Sequence, residues 1–262
     1  MNPTLSEEAK HSKVDLVVWG DFACFTRPEF KSERESYEVI TPAAARGLLE
    51  AIYWKPQMRY RILEIHVHSL GRRFSLLRNE LPSRQTVKPT ANEHRIMIDN
   101  DRQQRTSLIL RDVAYRIKAW IDIRADEPEE KIGKHLDCFR RRAETGAYHH
   151  RPCLGCREFP AHFAVFSDKH IPEEIQSRNK GLSNHFGTML FDTAYIQKGS
   201  HHQHGDEMTF YHHRGRRRYK MAGHAERIFF KAEMNEGIIA IPQGKYDEIA
   251  KLEGKTWDSS RH

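Results

Sequence analysis

Apolar residues recur along this chain in two rhythms, every second position or every third and fourth, and the switches between them outline the elements. Residues 14–20 form a short apolar run rich in β-formers and closed by Gly20-Asp21, the pattern of a buried strand. Thr41-Pro42 then offers a cap and a first-turn proline. Ala45, Leu48, Leu49 and Ile52 follow at helical spacing until Lys55-Pro56 ends the pattern, which puts Tyr53 in the last turn of a first helix. Tyr60 and Ile62, then Ile65 and Val67, give an approximately alternating second strand with Glu64, His66 and His68 on its other side. Residues 71–105, polar and holding Pro82 and Pro89, read as an interruption.

The clearest strand follows. Val113, Tyr115, Ile117, Ala119, Ile121 and Ile123 alternate strictly with Arg116, Lys118, Trp120, Asp122 and Arg124, so one face is apolar and the other basic and aromatic. Ile132, Leu136, Phe139 and Ala143 define a second amphipathic helix, with Glu127, Glu129 and Glu130 in its approach or first turn. Phe159, Ala161, Phe163 and Val165 alternate as a fourth strand. The order β, α, β, β, α, β predicts an α+β fold with a ferredoxin-like, RRM-like unit over residues 1–167. Beyond it the pattern is strand and turn. Arg214-Gly215 and Asn235-Glu236-Gly237 look like hairpin turns, the latter between 227–234 and 238–242, and residues 168–262 read as a β-rich module.

Charge narrows the class of partner. Across 262 residues, 43 Lys and Arg against 36 Asp and Glu leave a net charge of +7, and 17 histidines can add to it as pH falls. Arginines cluster at 72–73, 140–142 and 214–218 with aromatic residues beside several of them, which suits phosphates neutralised by cations and bases stacked on rings. No apolar run approaches the roughly 20 residues needed to span a bilayer. Four cysteines make no disulfide framework in a chain of this size, so a reducing cytoplasm is expected.

No P-loop, GxGxxG after the first strand, GxSxG or HExxH is present, which removes the usual nucleotide-hydrolysing, dinucleotide and serine-hydrolase chemistries. Metal ligation has pieces but no set. His66-x-His68, His149-His150, His201-His202-x-His204 and His212-His213 offer pairs, and Cys153-x-x-Cys156 is half a zinc site with no second half. Small residues flanking a turn at Leu154-Gly155 is the plainer reading of the cysteines. No metal or cofactor is expected.

Lys134-His135 and Tyr53 stand apart because metal-free RNA cleavage needs so little: a base for the 2′-hydroxyl, a cation for the crowded phosphate, and an acid for the departing 5′-oxygen. Histidine has the pKa for either transfer, lysine the charge and tyrosine the hydroxyl. Taken singly, a Lys-His dipeptide is commonplace, and a tyrosine at a helix end is more often packing than chemistry.

Longer segments change that balance. Residues 19–28 (WGDFACFTRP), 36–42 (SYEVITP), 47–56 (GLLEAIYWKP), 133–135 (GKH) and 154–160 (LGCREFP) together resemble one family, and the likeness runs from about residue 14 to 242. It is the d variety of the fifth Cas family, a RAMP-superfamily CRISPR-associated protein of the type I-C effector complex. The resemblance implies a ferredoxin-like amino-terminal domain and a β-rich remainder. It also implies metal-independent cutting of CRISPR repeat RNA near its hairpin base, with the 5′ handle of the mature crRNA retained.

On the same resemblance the catalytic tyrosine falls on Tyr53 and the lysine and histidine on Lys134 and His135. The implied partners are the backbone and large subunits of the type I-C Cascade complex together with guide RNA. Trp54, Arg116, Lys118, Trp120, Arg140, Arg141 and Arg142 are the expected RNA contacts. Other members of the fifth Cas family cap the handle without cutting, which is the alternative. The polar amino-terminal extension and the His- and Arg-rich segment 198–225 depart from the family pattern. A phenol near pKa 10 is a poor base at neutral pH unless a cation such as Lys134 lowers it, so the proton each of the three groups carries stays open.

Overall fold

A computed structural model of the chain describes residues 13–30, 33–83, 96–127, 129–166, 182–197, 208–214 and 217–258. In chain order the elements are β1 (Lys13–Ala23), α1 (Pro42–Ile52), β2 (Met58–Ser69), β3 (Arg72–Glu80), α2 (Ile98–Asp101), β4 (Gln103–Arg124) and α3 (Ile132–Glu144). They continue with β5 (His162–Val165), β6 (Asn184–Gln197), β7 (Met208–Arg214), β8 (Arg217–Met234), β9 (Ile238–Ala240), α4 (Gly244–Leu252) and β10 (Trp257–Asp258). The result is a mixed, mostly β structure built on one large antiparallel sheet.

That sheet runs β5-β1-β4-β2-β9, with β3 and β10 also paired to β4. The strict alternation read in 113–124 is the reason β4 can lie in the middle. Tyr115, Ile117, Ala119, Ile121 and Ile123 are fully buried on one face, each large side chain contributing about 1.5–3 kcal/mol by leaving water. On that face lie α1 and α3, and Leu48, Leu49, Ile52, Leu136 and Phe139 complete the layer. The imperfect alternation of β2 also has a cause: the register against β4 shifts between Ile62 and Glu64, so Ile62 and Ile65, three apart, both point into the core.

Thr41 caps α1 as expected, its hydroxyl accepting the Ala44 N–H at 3.2 Å, with Pro42 in the first turn. Tyr53 is the C-cap rather than a last-turn residue; its backbone is extended, and this turns its side chain toward α3.

Two expectations need correction. Residues 71–105 are not simply an interruption: β3 pairs with the first half of β4, nearly collinear with β2, and β4 itself begins at Gln103 rather than near 113. The strand was hard to see because most of β3 is exposed, so neither face demands apolar residues. The 235–237 turn is real, with Glu236 and Gly237 both at positive φ and Asn235 bridged to Ile238. However, β9 leaves β8 there and pairs with β2 in the large sheet.

The second sheet, β6-β8-β7, holds the hairpin expected around Arg214-Gly215, whose turn lies outside the described residues. Phe191 and Phe230 from this sheet join the same apolar core as the first, and Tyr246 of α4 meets Phe191 edge-on. Of the segment 198–225, residues 198–207 and 215–216 lie outside the described residues. No helix among the described residues is long and apolar enough to cross a membrane.

The Cys153-x-x-Cys156 spacing is a turn clamped beneath the end of β1. Cys24 donates its N–H to the Leu154 carbonyl at 3.0 Å, and Arg34 Nη1 donates to Cys156 Sγ at 3.2 Å. Gly155 is at φ +87°, and a Cβ there would overlap the Cys24 carbonyl. Replacing it, Gly155→Ala, therefore combines left-handed strain with a backbone clash. It is expected to lower stability by about 3 kcal/mol or more, read as a reduced urea midpoint at unchanged m-value.

Candidate active site

Tyr53 and His135, 82 residues apart in sequence, meet where the C-terminal end of α1 faces the first turn of α3. Tyr53 Oη lies 2.9 Å from His135 Nδ1. The other ring nitrogen, Nε2, lies 3.0 Å from Glu130 Oε2. Lys134 Nζ donates to both oxygens of the same carboxylate, at 3.2 and 2.9 Å. Four groups thus form one row: phenol, imidazole, carboxylate, ammonium.

The helix explains why they share a place. His135 follows Ile132 by three positions on the buried stripe of α3 and is only 1% exposed. Lys134, one residue earlier, points off that stripe and keeps 62% of its side chain in solvent. Glu130 precedes the Lys131 cap and folds back over the first turn, four residues before Lys134. Both ring nitrogens of the buried histidine are thereby satisfied, as an interior imidazole requires.

Charge follows from burial. Desolvation holds His135 below the ordinary histidine value of 6.5, with Glu130 pulling the other way, so the ring is neutral at pH 7. Glu130 is held below its usual range, first by the hydrogen bond from Lys134, and stays ionised. A neutral ring beside a carboxylate carries its proton on Nε2 and leaves Nδ1 to accept from the phenol. Tyr53 is pushed up to about 12, chiefly by burial and then by Cys138. The condition under which the phenol would serve as a base by itself, a cation such as Lys134 lowering it, is not seen: that ammonium is engaged by Glu130, on the far side of the ring.

Several neighbours fix this geometry. Tyr60 donates its hydroxyl to the Tyr53 carbonyl at 2.7 Å. Arg142 Nη1 donates to the Ile52 carbonyl at 3.0 Å, and its guanidinium lies 5.5 Å from the centre of the Tyr53 ring. The backbone N–H groups of His149 and His150 both donate to the Ala51 carbonyl, at 2.9 and 3.0 Å. The free carbonyls at the end of α1 are thus closed by β2, by α3 and by the chain that follows α3.

The expected RNA contacts are scattered. Trp54, 41% exposed, adjoins the site, and Arg140 and Arg141 are exposed along α3, whereas Arg142 is half-buried in the support role just described. Arg116, Lys118 and Trp120 lie on the opposite face of the sheet. There Arg116 is held by Asp15 through two bonds of 2.7 Å, and Lys118 by Glu64 at 3.0 Å. Trp120 is half-buried.

Sequence reasoning noted Glu130 only as an acid near a helix start; its spacing of four from Lys134 was the available signal. Arg142 is expected from the sequence as an RNA contact and Tyr60 only as a residue of the second strand. Among the described residues no group of three or more His, Cys, Asp or Glu is placed to hold a metal ion, and His201, His202 and His204 lie outside them.

Comparison with known proteins gives a consistent set of relatives. The family described as CRISPR-associated protein (Cas_Cas5), in its Cas5d form, matches residues 14–242. A CRISPR pre-crRNA endoribonuclease Cas5d from Thermus thermophilus is 43% identical over 242 residues, 92% of this chain and 96% of the relative. Another so named, from Mannheimia succiniciproducens, is 34% identical over 249 residues, 92% and 99% of the two chains. Among solved structures, a CRISPR-associated protein superposes with a TM-score of 0.56 at 21% identity, covering 89% of this chain and 93% of that one. A functionally uncharacterized protein from Streptococcus mutans gives the same score and identity, with 89% and 94% covered. These structures share the fold.

The depressed histidine predicts a pH signature. An unfolded histidine binds a proton near pH 6.5 while the buried one resists it. The stability associated with His135 is therefore complete above that value and is lost as pH falls through and below it. His66 and His68 are depressed in the same sense. The variant His135→Gln should therefore show a shallower, not a flat, fall in melting temperature between about pH 7.5 and 5, measured by calorimetry.

Proposed function

The chain belongs to the Cas5d family of CRISPR-associated proteins, and from that premise we propose that it is a pre-crRNA endoribonuclease cutting CRISPR repeat RNA by attack of a 2′-hydroxyl. The observation that carries this reading is the hydrogen-bonded row from Tyr53 through His135 to Glu130, with Lys134 at its solvent end.

In that row a phenol at pKa about 12 is not an anion waiting to act. It is a relay. As the 2′-hydroxyl gives its proton to Tyr53 Oη, the phenol proton passes to His135 Nδ1, and Glu130 stabilises the imidazolium that forms. The 2′-oxygen bonds to phosphorus and the bond to the 5′-oxygen breaks, leaving a 2′,3′-cyclic phosphate and a 5′-hydroxyl. Lys134, at the third helical position of α3, faces solvent where unpaired amides of the first turn also favour an anion. There it can neutralise the phosphate and protonate the departing oxygen. The space beside Gly133 is open, since a Cβ there would meet nothing within 4 Å. Lys55, exposed and close enough to depress the histidine further, adds charge on the approach.

The fold supports the same reading. With β1, α1, β2, β4, α3 and β5 taken as its six elements and a sheet order of β5-β1-β4-β2, residues 1–167 form the ferredoxin-like RNA-binding and catalytic unit. Residues 168–262 form the β-rich remainder, which returns β9 and β10 to the first sheet. On this reading the protein keeps the 5′ handle of the crRNA as a subunit of a type I-C Cascade, with Arg140 and Arg141 contributing to the grip.

Cleavage of the cognate repeat RNA is expected to persist in chelator and to vanish when the nucleotide 5′ of the scissile phosphate is 2′-deoxy. Tyr53→Phe and His135→Ala should each slow single-turnover cleavage by about a hundredfold or more while RNA binding is retained. Intact repeat bound by the unaltered protein would instead favour a handle-binding subunit. The rate should rise with pH through the depressed histidine pKa and then level, because only the neutral ring accepts a proton.

A further inference from the structure

The row at Tyr53 makes no use of Cys153-x-x-Cys156. Cys156 stands in the turn under the end of β1, and three segments of the chain meet at its sulfur. Arg34 Nη1 donates to Cys156 Sγ at 3.2 Å. The Thr26 hydroxyl lies 3.9 Å from that sulfur and 3.5 Å from Cys24 Sγ, so one side chain touches both thiols. Cys156 Sγ is also 3.7 Å from the Cys24 carbonyl oxygen. The two segments are already tied to each other, because the Leu154 carbonyl accepts the Cys24 N–H at 3.0 Å and Gly155 packs against the Cys24 backbone.

These two cysteines differ in the way a reactive pair requires. Cys156 is half-buried and within reach of a small reagent, whereas Cys24 is only 1% exposed. The Cys156 thiol is held down at about 6, first by a hydrogen bond from Cys24 and also by the one from Arg34, with burial and Glu158 opposing. It is therefore largely thiolate at pH 7, the form that acts as a nucleophile. Cys24 is raised, first by the same hydrogen bond and then by burial, and keeps its proton. Glu80 and Glu158, at 3.8 and 3.7 Å, share the Arg34 guanidinium and hold it beside the sulfur.

We propose that Cys156 is a peroxide-reactive thiolate and that Cys24 resolves its oxidised form into a disulfide, a modification site independent of the nuclease reading. The Cys156 sulfur attacks one oxygen of a hydroperoxide and the O–O bond breaks. The other oxygen leaves, takes a proton from solvent and departs as alcohol or water, and Cys156 becomes a sulfenic acid. The Cys24 sulfur then attacks that sulfur. The S–S bond forms as the S–O bond breaks, and the hydroxide leaves as water with the Cys24 proton. Two electrons pass from the pair of sulfurs to the peroxide, and a small thiol returns them by exchange. Cys153, pushed up chiefly by burial, keeps its proton and is the rival resolving thiol.

The test treats the unaltered protein with a small excess of hydrogen peroxide and maps its peptides without reduction. A Cys24–Cys156 link is expected, with free thiols falling from four to two per chain and returning to four in dithiothreitol. Cys24→Ala should instead accumulate the sulfenic acid at Cys156, trapped by a 1,3-dione. Before oxidation, alkylation of Cys156 by iodoacetamide should titrate with a midpoint near pH 6, and Arg34→Ala should move that midpoint upward. A purely structural cysteine would show no such profile. Four thiols surviving peroxide, a Cys153–Cys156 link in place of the expected one, or a Cys156 midpoint at the ordinary thiol value of about 8.5 would each overturn the proposal.

Discussion

One 22-residue strand, β4, is the constraint on which the rest of the molecule depends. It pairs with β1 and β10 along one edge and with β2 and β3 along the other, so elements from both ends of the chain are registered against it. Slipping that register by one residue would turn Tyr115, Ile117, Ile121 and Ile123 to the opposite face and expose the core. The core fixes the register; the register sets β2 and α1 against α3. Tyr53 and His135 are brought together by packing between elements, since neither is near the other in sequence.

Their pairing has a chemical logic of its own. An imidazole that is 1% exposed must place both nitrogens, and the partners supplied, a phenol and a carboxylate, define its tautomer as well as its position. The same burial that keeps the ring neutral also raises the phenol. A lone tyrosine base would be ineffective under those conditions, whereas a phenol joined to a neutral imidazole has an acceptor for its proton. Lys134 is spared from the interior, with most of its side chain in solvent and its ammonium on Glu130.

Much of this was legible in the chain. The helices around 42–52 and 132–144 and the central strand declared themselves because one face of each is buried, and burial is what imposes a period. β3 was missed because it lacks such a face. The destination of β9 was missed because a turn of the 235–237 kind looks local, and only the edge of β2 explains where the strand goes. Tyr53, Lys134 and His135 were visible by resemblance. Glu130 was visible as a charge but not as a partner, because the need for it arises only when His135 is seen to be buried. The meeting of Cys156 with Cys24 and Arg34 draws on three separate segments, and no local pattern joins them.

The outer face of the large sheet alters how the net charge of +7 should be understood. Asp15 holds Arg116, Glu64 holds Lys118, and Asp122, itself fully buried, holds Arg59 and Arg61. These cations are spent inside the fold. They carry few counterions, so they have few to release when a polyanion arrives. If RNA is bound as proposed, its salt dependence, about 0.7 ion per phosphate neutralised on a single strand, would come from exposed cations such as Lys55, Arg140 and Arg141 rather than from these. Of the 43 basic residues, these four would therefore add little to such a dependence.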